Sequence, residues 1–327
     1  MDLQVGADLC FPHLFNTSCK KPATLWTDAV FLHTVLSIIS LLTVTFNLLV
    51  IISVSHFRQL QTPTNILLLS LAVSDFLVGL LLMPGEIIRN TACWFLGDLM
   101  CSVYNFISYI ITSASVGDMV LISVDRYVAI CDPLHYSTKV TERRVKVCVC
   151  LCWFCSIFYS GVIVKGDMTQ PGRYNSCYGE CVIVVDYIVG AFDLVITFII
   201  PVTVIIVLYI RVFMVAVSQA RTMHSHVTSV TLQLSVTLIR KSELKAARTL
   251  GVLMVVFLIC FCPYYCVSLV EDDFLSGSYA SYVLFLFYLN SSLNPVIYAM
   301  FYPWFRKAIK LIVTFRILQT GSCETNI

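Results

Sequence analysis

Seven helix-length apolar stretches run along the chain, at 30–54, 66–88, 102–124, 147–165, 187–214, 249–270 and 279–301. A helix needs about 20 mostly apolar residues to cross a hydrocarbon layer of roughly 30 Å. The apolar residues are continuous and do not alternate over strand-length segments, which excludes a β-barrel. The pattern predicts an all-α membrane protein, a seven-transmembrane helix bundle. After the seventh stretch, Trp304-Phe305-Arg306-Lys307-Ala308-Ile309-Lys310-Leu311-Ile312 is amphipathic and predicts a short eighth helix lying on the membrane surface. The expected division is an extracellular N-terminus at 1–29, a seven-helix bundle at 30–301, and the amphipathic helix with a cytoplasmic tail at 302–327.

Composition strengthens the picture. Of the 327 residues 58% are apolar and 12% charged, with a mean hydropathy of +0.87. Soluble domains carry roughly twice that share of charge, so a soluble enzyme is excluded. The net charge of +2 gives no reason to expect a nucleic-acid partner. Sixteen of the 21 Lys and Arg fall on the odd-numbered connections and the C-terminal tail, which predicts the tail inside and the N-terminus outside. The opening MDLQVGADLC lacks a basic-then-apolar leader, so the first span is expected to act as its own export signal.

Of the 15 cysteines, Cys10, Cys19, Cys93, Cys101, Cys177 and Cys181 lie on the predicted outer side, where disulfides persist. Cys148, Cys150, Cys152 and Cys155 sit within the fourth stretch and read as packing residues. Asn16-Thr17-Ser18 is a glycosylation sequon on the outer segment. No nucleophile–base set or phosphate loop points to an enzyme. Residues 279–301 hold no lysine for a retinal Schiff base, and polar residues are too isolated to line a channel. A signalling receptor is the reading that remains.

Asp125-Arg126-Tyr127, Cys131-Asp132-Pro133-Leu134, Asn294-Pro295-Val296-Ile297-Tyr298, Asp75, Asn47, Trp153, Pro201 and Pro263 together resemble the rhodopsin-like G-protein-coupled receptors along nearly the whole chain. The run from Asn290 to Phe305 is similar to the fingerprint of the trace amine-associated receptors. Leu244 to Gly251 and Cys177-Tyr178-Gly179-Glu180-Cys181 resemble that family too. The resemblance implies a plasma-membrane receptor of olfactory sensory neurons that responds to small amines. A heterotrimeric stimulatory G protein would carry the signal to cyclic AMP.

The resemblance also implies roles for particular residues. Disulfides are expected for Cys101–Cys181 and Cys19–Cys177, with Cys10 and Cys93 either paired or free. Asp75 with Ser115, Asn290, Ser291 and Asn294 would hold a sodium ion; the alternative is a protonated Asp75 in a polar cluster without metal. No other cofactor is expected. Arg126 would pair with Asp125 or Glu243, and Tyr127, Leu134, Tyr209 and Tyr298 belong to the same G-protein switch, with basic residues from Arg240 to Arg248 nearby.

Biogenic-amine receptors place an aspartate eighteen residues before this arginine, and Ser108 stands there instead. Asp193 in the fifth stretch resembles the anchor of a fish-type branch, though it also reads as a buried structural carboxylate bonded to span-three or span-four hydroxyls. Glu86 and Asp186 would make the site tolerant of di- or polyamines, or else are wet rim residues. Tyr264, Tyr265, Tyr288 and Phe261 are the expected aromatic lining, since aromatic faces attract ammonium groups. Ser108 leaves a non-amine ligand as the alternative. Cys323 is a possible acylation position, and Asp118 has no assigned role.

Overall fold

The computed structural model describes residues 9–14, 16–20, 26–91, 93–225, 251–267, 278–319 and 322–324. Six described helices are long and apolar enough to cross a membrane, and a seventh apolar helix is described over Gly251–Val267. Span one is Trp26–His56, span three Asp98–Cys131, span four Glu142–Ile163 and span seven Ser278–Phe301. Spans two and five are interrupted helices: Pro63–Leu77 joins Met83–Thr91, and Tyr187–Leu194 joins Ile200–Ser225. Span three has 34 residues, about 51 Å at 1.5 Å per residue, so its ends project well beyond the hydrocarbon. Apolarity alone reveals only the immersed part, which is why several spans exceed their apolar stretches.

Local chemistry sets several helix starts. Thr62 accepts from Asn65 N, with Pro63 in the first turn, to open span two; Thr141 accepts from Arg144 N to open span four. Pro303 opens the amphipathic helix Pro303–Val313 after the extended Tyr302. The two interruptions are π turns, Val78–Leu82 and Val195–Ile199. Each ends two residues before a proline, Pro84 and Pro201. A proline ring clashes with the carbonyl four residues back, here Leu80 and Thr197, and the bulge relieves that clash.

Span three is central, packing against spans two, four and five, while span one leans on span two and span seven. Tyr298, Phe257, Leu71, Leu82 and Met119 are fully enclosed in the core. Leu41, Phe154, Phe158 and Phe213 point outward, the arrangement lipid requires. Polar ties cross the bundle: Ser40 Oγ donates to Gly79 O at 2.7 Å, and Asn47 Nδ2 to Ser291 O at 3.0 Å.

At one end of the bundle three disulfides join Cys10 to Cys93, Cys19 to Cys177 and Cys101 to Cys181. The two left over from the family pattern therefore pair with each other. The segment 9–20 folds back on itself through Cys10 N to Cys19 O (2.8 Å). It binds the outer loop through Tyr178 N to Thr17 O (2.6 Å) and Cys19 N to Tyr178 O (3.0 Å). Gly179, at φ +106°, turns that loop so that its carbonyl accepts from Trp94 N at 2.8 Å. Asn16 is exposed on this segment.

Candidate functional site

Beneath the stapled loop lies a cavity of about 110 Å³. Span three contributes Ser108, Tyr109, Thr112 and Ser113; span five contributes Asp193 and Thr197. Tyr264 and Tyr265 enter from span six, and Phe287 and Tyr288 from span seven. Glu86 and Arg89 come from span two, and Ile183 closes the top just after the Cys101–Cys181 bridge.

Asp193 is half-buried in the cavity wall. Its Oδ1 accepts from the Tyr159 hydroxyl and lies 3.4 Å from Thr197 Oγ1. Thr197, inside the π turn, donates to Asp193 O at 2.7 Å and shares a 3.0 Å hydrogen bond with Tyr265 Oη. Tyr265 is in turn stacked on Phe198, centroids 4.4 Å apart. Asp193 is thus held by neutral hydroxyls, and among the described residues no basic side chain pairs with it. Such a group complements a cation, because Arg89, the guanidinium in the same lining, pairs with Glu86 instead.

The other acidic residues part ways between the two readings open for them: Asp186 is a wet rim residue, and Glu86 is buried in the lining. Asp186 is exposed, does not line the cavity, and precedes the helix with an extended backbone (φ −55°, ψ 145°). Helical spacing therefore never brings it over Asp193. Glu86 does line the cavity, but Arg89 Nη2 pairs with its Oε2 at 2.8 Å and Tyr104 Oη donates to its Oε1 at 2.8 Å. A carboxylate already matched by a guanidinium offers little to a second ammonium. Phe261 also lies outside the lining. It is buried beneath it, 4.1 Å by ring centroids from both Phe257 and Phe287. Ser108 lines the wall with its hydroxyl turned back to Tyr104 O at 2.9 Å.

Deeper in the bundle, Asp75 is fully buried and accepts from Asn294 Nδ2 at 2.8 Å, with Ser291 against the same carboxylate. Oδ1 of Asp75, Asn290 and Asn294 are buried acceptors without a hydrogen-bond partner. A donor set made only of oxygens suits a hard cation. Ser115 is buried on span three without a hydrogen bond to Asp75. Asp118 meets Ser70 Oγ at 2.9 and 2.8 Å, and Ser70 takes a third bond from Trp153 Nε1 at 3.0 Å.

At the end of span three away from the disulfides, Arg126 donates through Nε to Asp125 Oδ2 at 2.9 Å and also bonds Thr64. Asp125 further accepts from Thr64 Oγ1 at 2.9 Å and from Tyr136 Oη at 2.8 Å. Glu243, the other expected partner, lies outside the described residues. Tyr127 packs beside Ile130 and Val212, Tyr209 packs on the main core, and Tyr298 is wholly buried. Leu134 is 88% exposed on the loop helix Pro133–Lys139. That helix is clasped by Asp132, whose carboxyl is held down at about 2 by bonds from Lys139 (2.7 Å) and His135 (2.8 Å).

Sequence reasoning missed Tyr159, Thr197, Arg89, Tyr104, Thr64 and Tyr136. Arg89 alone left a readable signal: it stands three residues after Glu86 on one helix, the spacing at which opposite charges meet.

The profile of the 7 transmembrane receptor (rhodopsin family) matches residues 46–298. The chain is 37% identical to trace amine-associated receptor 13c of Danio rerio, over 98% of this chain and 96% of that one. It is 36% identical to trace amine-associated receptor 1 of Macaca mulatta, over 95% of each chain. With trace amine-associated receptor 8c of Mus musculus the identity is 39%, over 99% and 97%. Such a family brings a small-molecule ligand, a G-protein partner and a multi-pass place in the plasma membrane, and it is not a family of enzymes. The chain belongs to the trace amine-associated receptors, within the rhodopsin family of seven-transmembrane receptors.

Proposed function

We propose that this receptor is chemosensory, that its ligands are amines, and that Asp193 holds the ligand ammonium. The observation that carries the reading is a half-buried carboxylate in the cavity wall whose partners are neutral hydroxyls. Tyr264, Tyr265 and Tyr288 add aromatic faces, each worth about 0.5–2 kcal/mol to a desolvated cation. The expected site for di- or polyamines loses its extra carboxylates, since Asp186 lies outside and Glu86 is matched by Arg89. Coupling to a stimulatory G protein, placement in olfactory neurons and an extracellular N-terminus rest on the family resemblance and, for the last, on the basic residues of the inner connections.

The test is a cyclic-AMP dose response to amines in wild type and Asp193→Ala at matched surface expression. Truncating one side of a buried charge pair costs about 2–5 kcal/mol, and the half-exposed site favours the low end, roughly 30-fold in potency. An unchanged potency removes Asp193 as the anchor. A non-amine ligand is the second reading, favoured by the uncharged, backbone-bonded Ser108; it requires responses indifferent to both ligand charge and Asp193.

A sodium ion at Asp75, Asn290, Ser291 and Asn294 is the further proposal for the deep cluster, supported by the unpartnered oxygens there. It would supply a positive charge that favours the contracted bundle. Rising sodium should weaken agonist binding in wild type; equal weakening in Asp75→Asn would count against it.

A further inference from the structure

We propose that Arg89 is a built-in second cation, which occupies the place a second ligand ammonium would take and restricts the receptor to ligands of a single positive charge. The inference rests on the reading of Asp193 as the amine anchor.

The cavity lining contains three charged side chains, Asp193, Glu86 and Arg89. Two of them cancel: Arg89 Nη2 stands 2.8 Å from Glu86 Oε2, with the arginine side chain 23% and the glutamate 11% exposed. The pair is locked from span three, where Tyr104 Oη donates to Glu86 Oε1 at 2.8 Å. Both glutamate oxygens are therefore engaged before any ligand arrives. Tyr104 is itself fixed beside Trp94, centroids 5.7 Å apart, next to the Cys101–Cys181 bridge. The far end of the cavity is thus a prepared arrangement on a braced wall.

Tyr264 lines the same cavity as Asp193 and the Arg89–Glu86 pair. A ligand anchored at Asp193 on span five and extending along the cavity toward span two meets the guanidinium. A second ammonium there must either bear repulsion from Arg89 or displace it from Glu86 and leave a guanidinium unpaired. Titration offers no escape, because a guanidinium keeps its proton in proteins. Nor does competition favour the ligand: Arg89 is tethered three residues from Glu86 on the same helix and is already oriented toward it, while a flexible diamine must be ordered to reach it. An alkyl or aryl end meets no such cost.

The residue that sets the charge count is therefore Arg89, and removing its charge while keeping Glu86 should create a second ammonium site. The experiment compares α,ω-diamines of increasing chain length with n-alkylamines of matched length, by cyclic-AMP response and by surface-expression assay. The receptors are wild type, Arg89→Gln, Asp193→Ala and the double variant Glu86→Gln/Arg89→Gln. Wild type should prefer the monoamine at least tenfold at every length. In Arg89→Gln the ratio should shift toward one diamine length by tenfold or more, and the double variant should cancel that gain because the freed carboxylate is gone.

Equal wild-type potency for mono- and diamines, a measurement needing no variant, overturns the proposal. So does an Arg89→Gln receptor at the surface with an unaltered ratio, or a gain that persists in the double variant. Amine responses indifferent to Asp193→Ala overturn the anchor reading and the charge count with it, whereas the ratio measurements bear on the charge count alone.

Discussion

Tyr136→Phe removes one hydroxyl from the network around Arg126 and should raise ligand-free signalling. Tyr136 Oη donates to Asp125 Oδ1 at 2.8 Å, while Arg126 and Thr64 hold the other oxygen. Burial pushes the Tyr136 hydroxyl above its ordinary range, so it keeps its proton and donates at any cytoplasmic pH. A hydrogen bond to a charged group contributes about 1.5–3 kcal/mol. Tyr136 is only partly buried, so the low end applies, roughly tenfold in the balance between closed and open inner faces. A receptor open about 1% of the time would then be open about 10% of the time. The assay is second-messenger output without ligand, normalised to surface receptor, for Tyr136→Phe, Thr64→Val and Asp125→Asn. Asp125→Asn should exceed the other two because it removes the ion pair with Arg126 as well. Flat output in all three would show that this network does not hold the closed face. A rise in Asp125→Asn alone would show that the Tyr136 bond contributes nothing.

Two other perturbations follow from the same geometry. Asp118 sits fully buried with Ser70 as its hydrogen-bond partner, and a carboxylate at that depth costs several kcal/mol; Asp118→Asn should match or exceed wild type in thermal stability in detergent. Asp118→Ala should fall by about 1–3 kcal/mol because Ser70 loses its acceptor, and the opposite order would refute the account. Impermeant maleimide should leave the folded wild type unlabelled at its six bridged cysteines, and Cys93→Ser should expose Cys10; labelling of Cys19 or Cys177 instead would refute the Cys10–Cys93 pairing.

The seven spans were readable because membrane thickness fixes the length of an apolar run, and Asp193 stood out because a carboxylate inside such a run demands a partner. Two disulfides followed from the family pattern, but Cys10–Cys93 did not, since pairing is a matter of distance and not of spacing in the chain. Pro84 and Pro201 were visible, yet their effect was not: each drives a π turn that changes which residues face inward above it. Asp186 leaves two readings open in the sequence, a second carboxylate for the site or a wet rim residue, and the helix that begins only at Tyr187 leaves it exposed, as the second has it. Phe261 is expected in the lining with the three tyrosines as an aromatic face for an ammonium, but the stack of Phe257, Phe261 and Phe287 buries it. Tyr159 and Thr197 escaped notice because hydroxyls on spans four and five give no signal until the helices are packed.

The stapled outer segment has a consequence for biosynthesis. Cys10 and Cys19 lie side by side in the folded protein, yet their partners are 83 and 158 residues further along the chain. At about 5–20 residues per second, Cys19 waits roughly 8–30 s for Cys177 to be made. During that interval the nearest thiol to each is the other. A nascent chain that oxidises early closes a short, wrong loop, and it must be reopened by thiolate attack before either correct bridge forms. Delivery to the cell surface should therefore depend on isomerase supply, and lowering that activity in the host cell should raise the share of receptor retained inside.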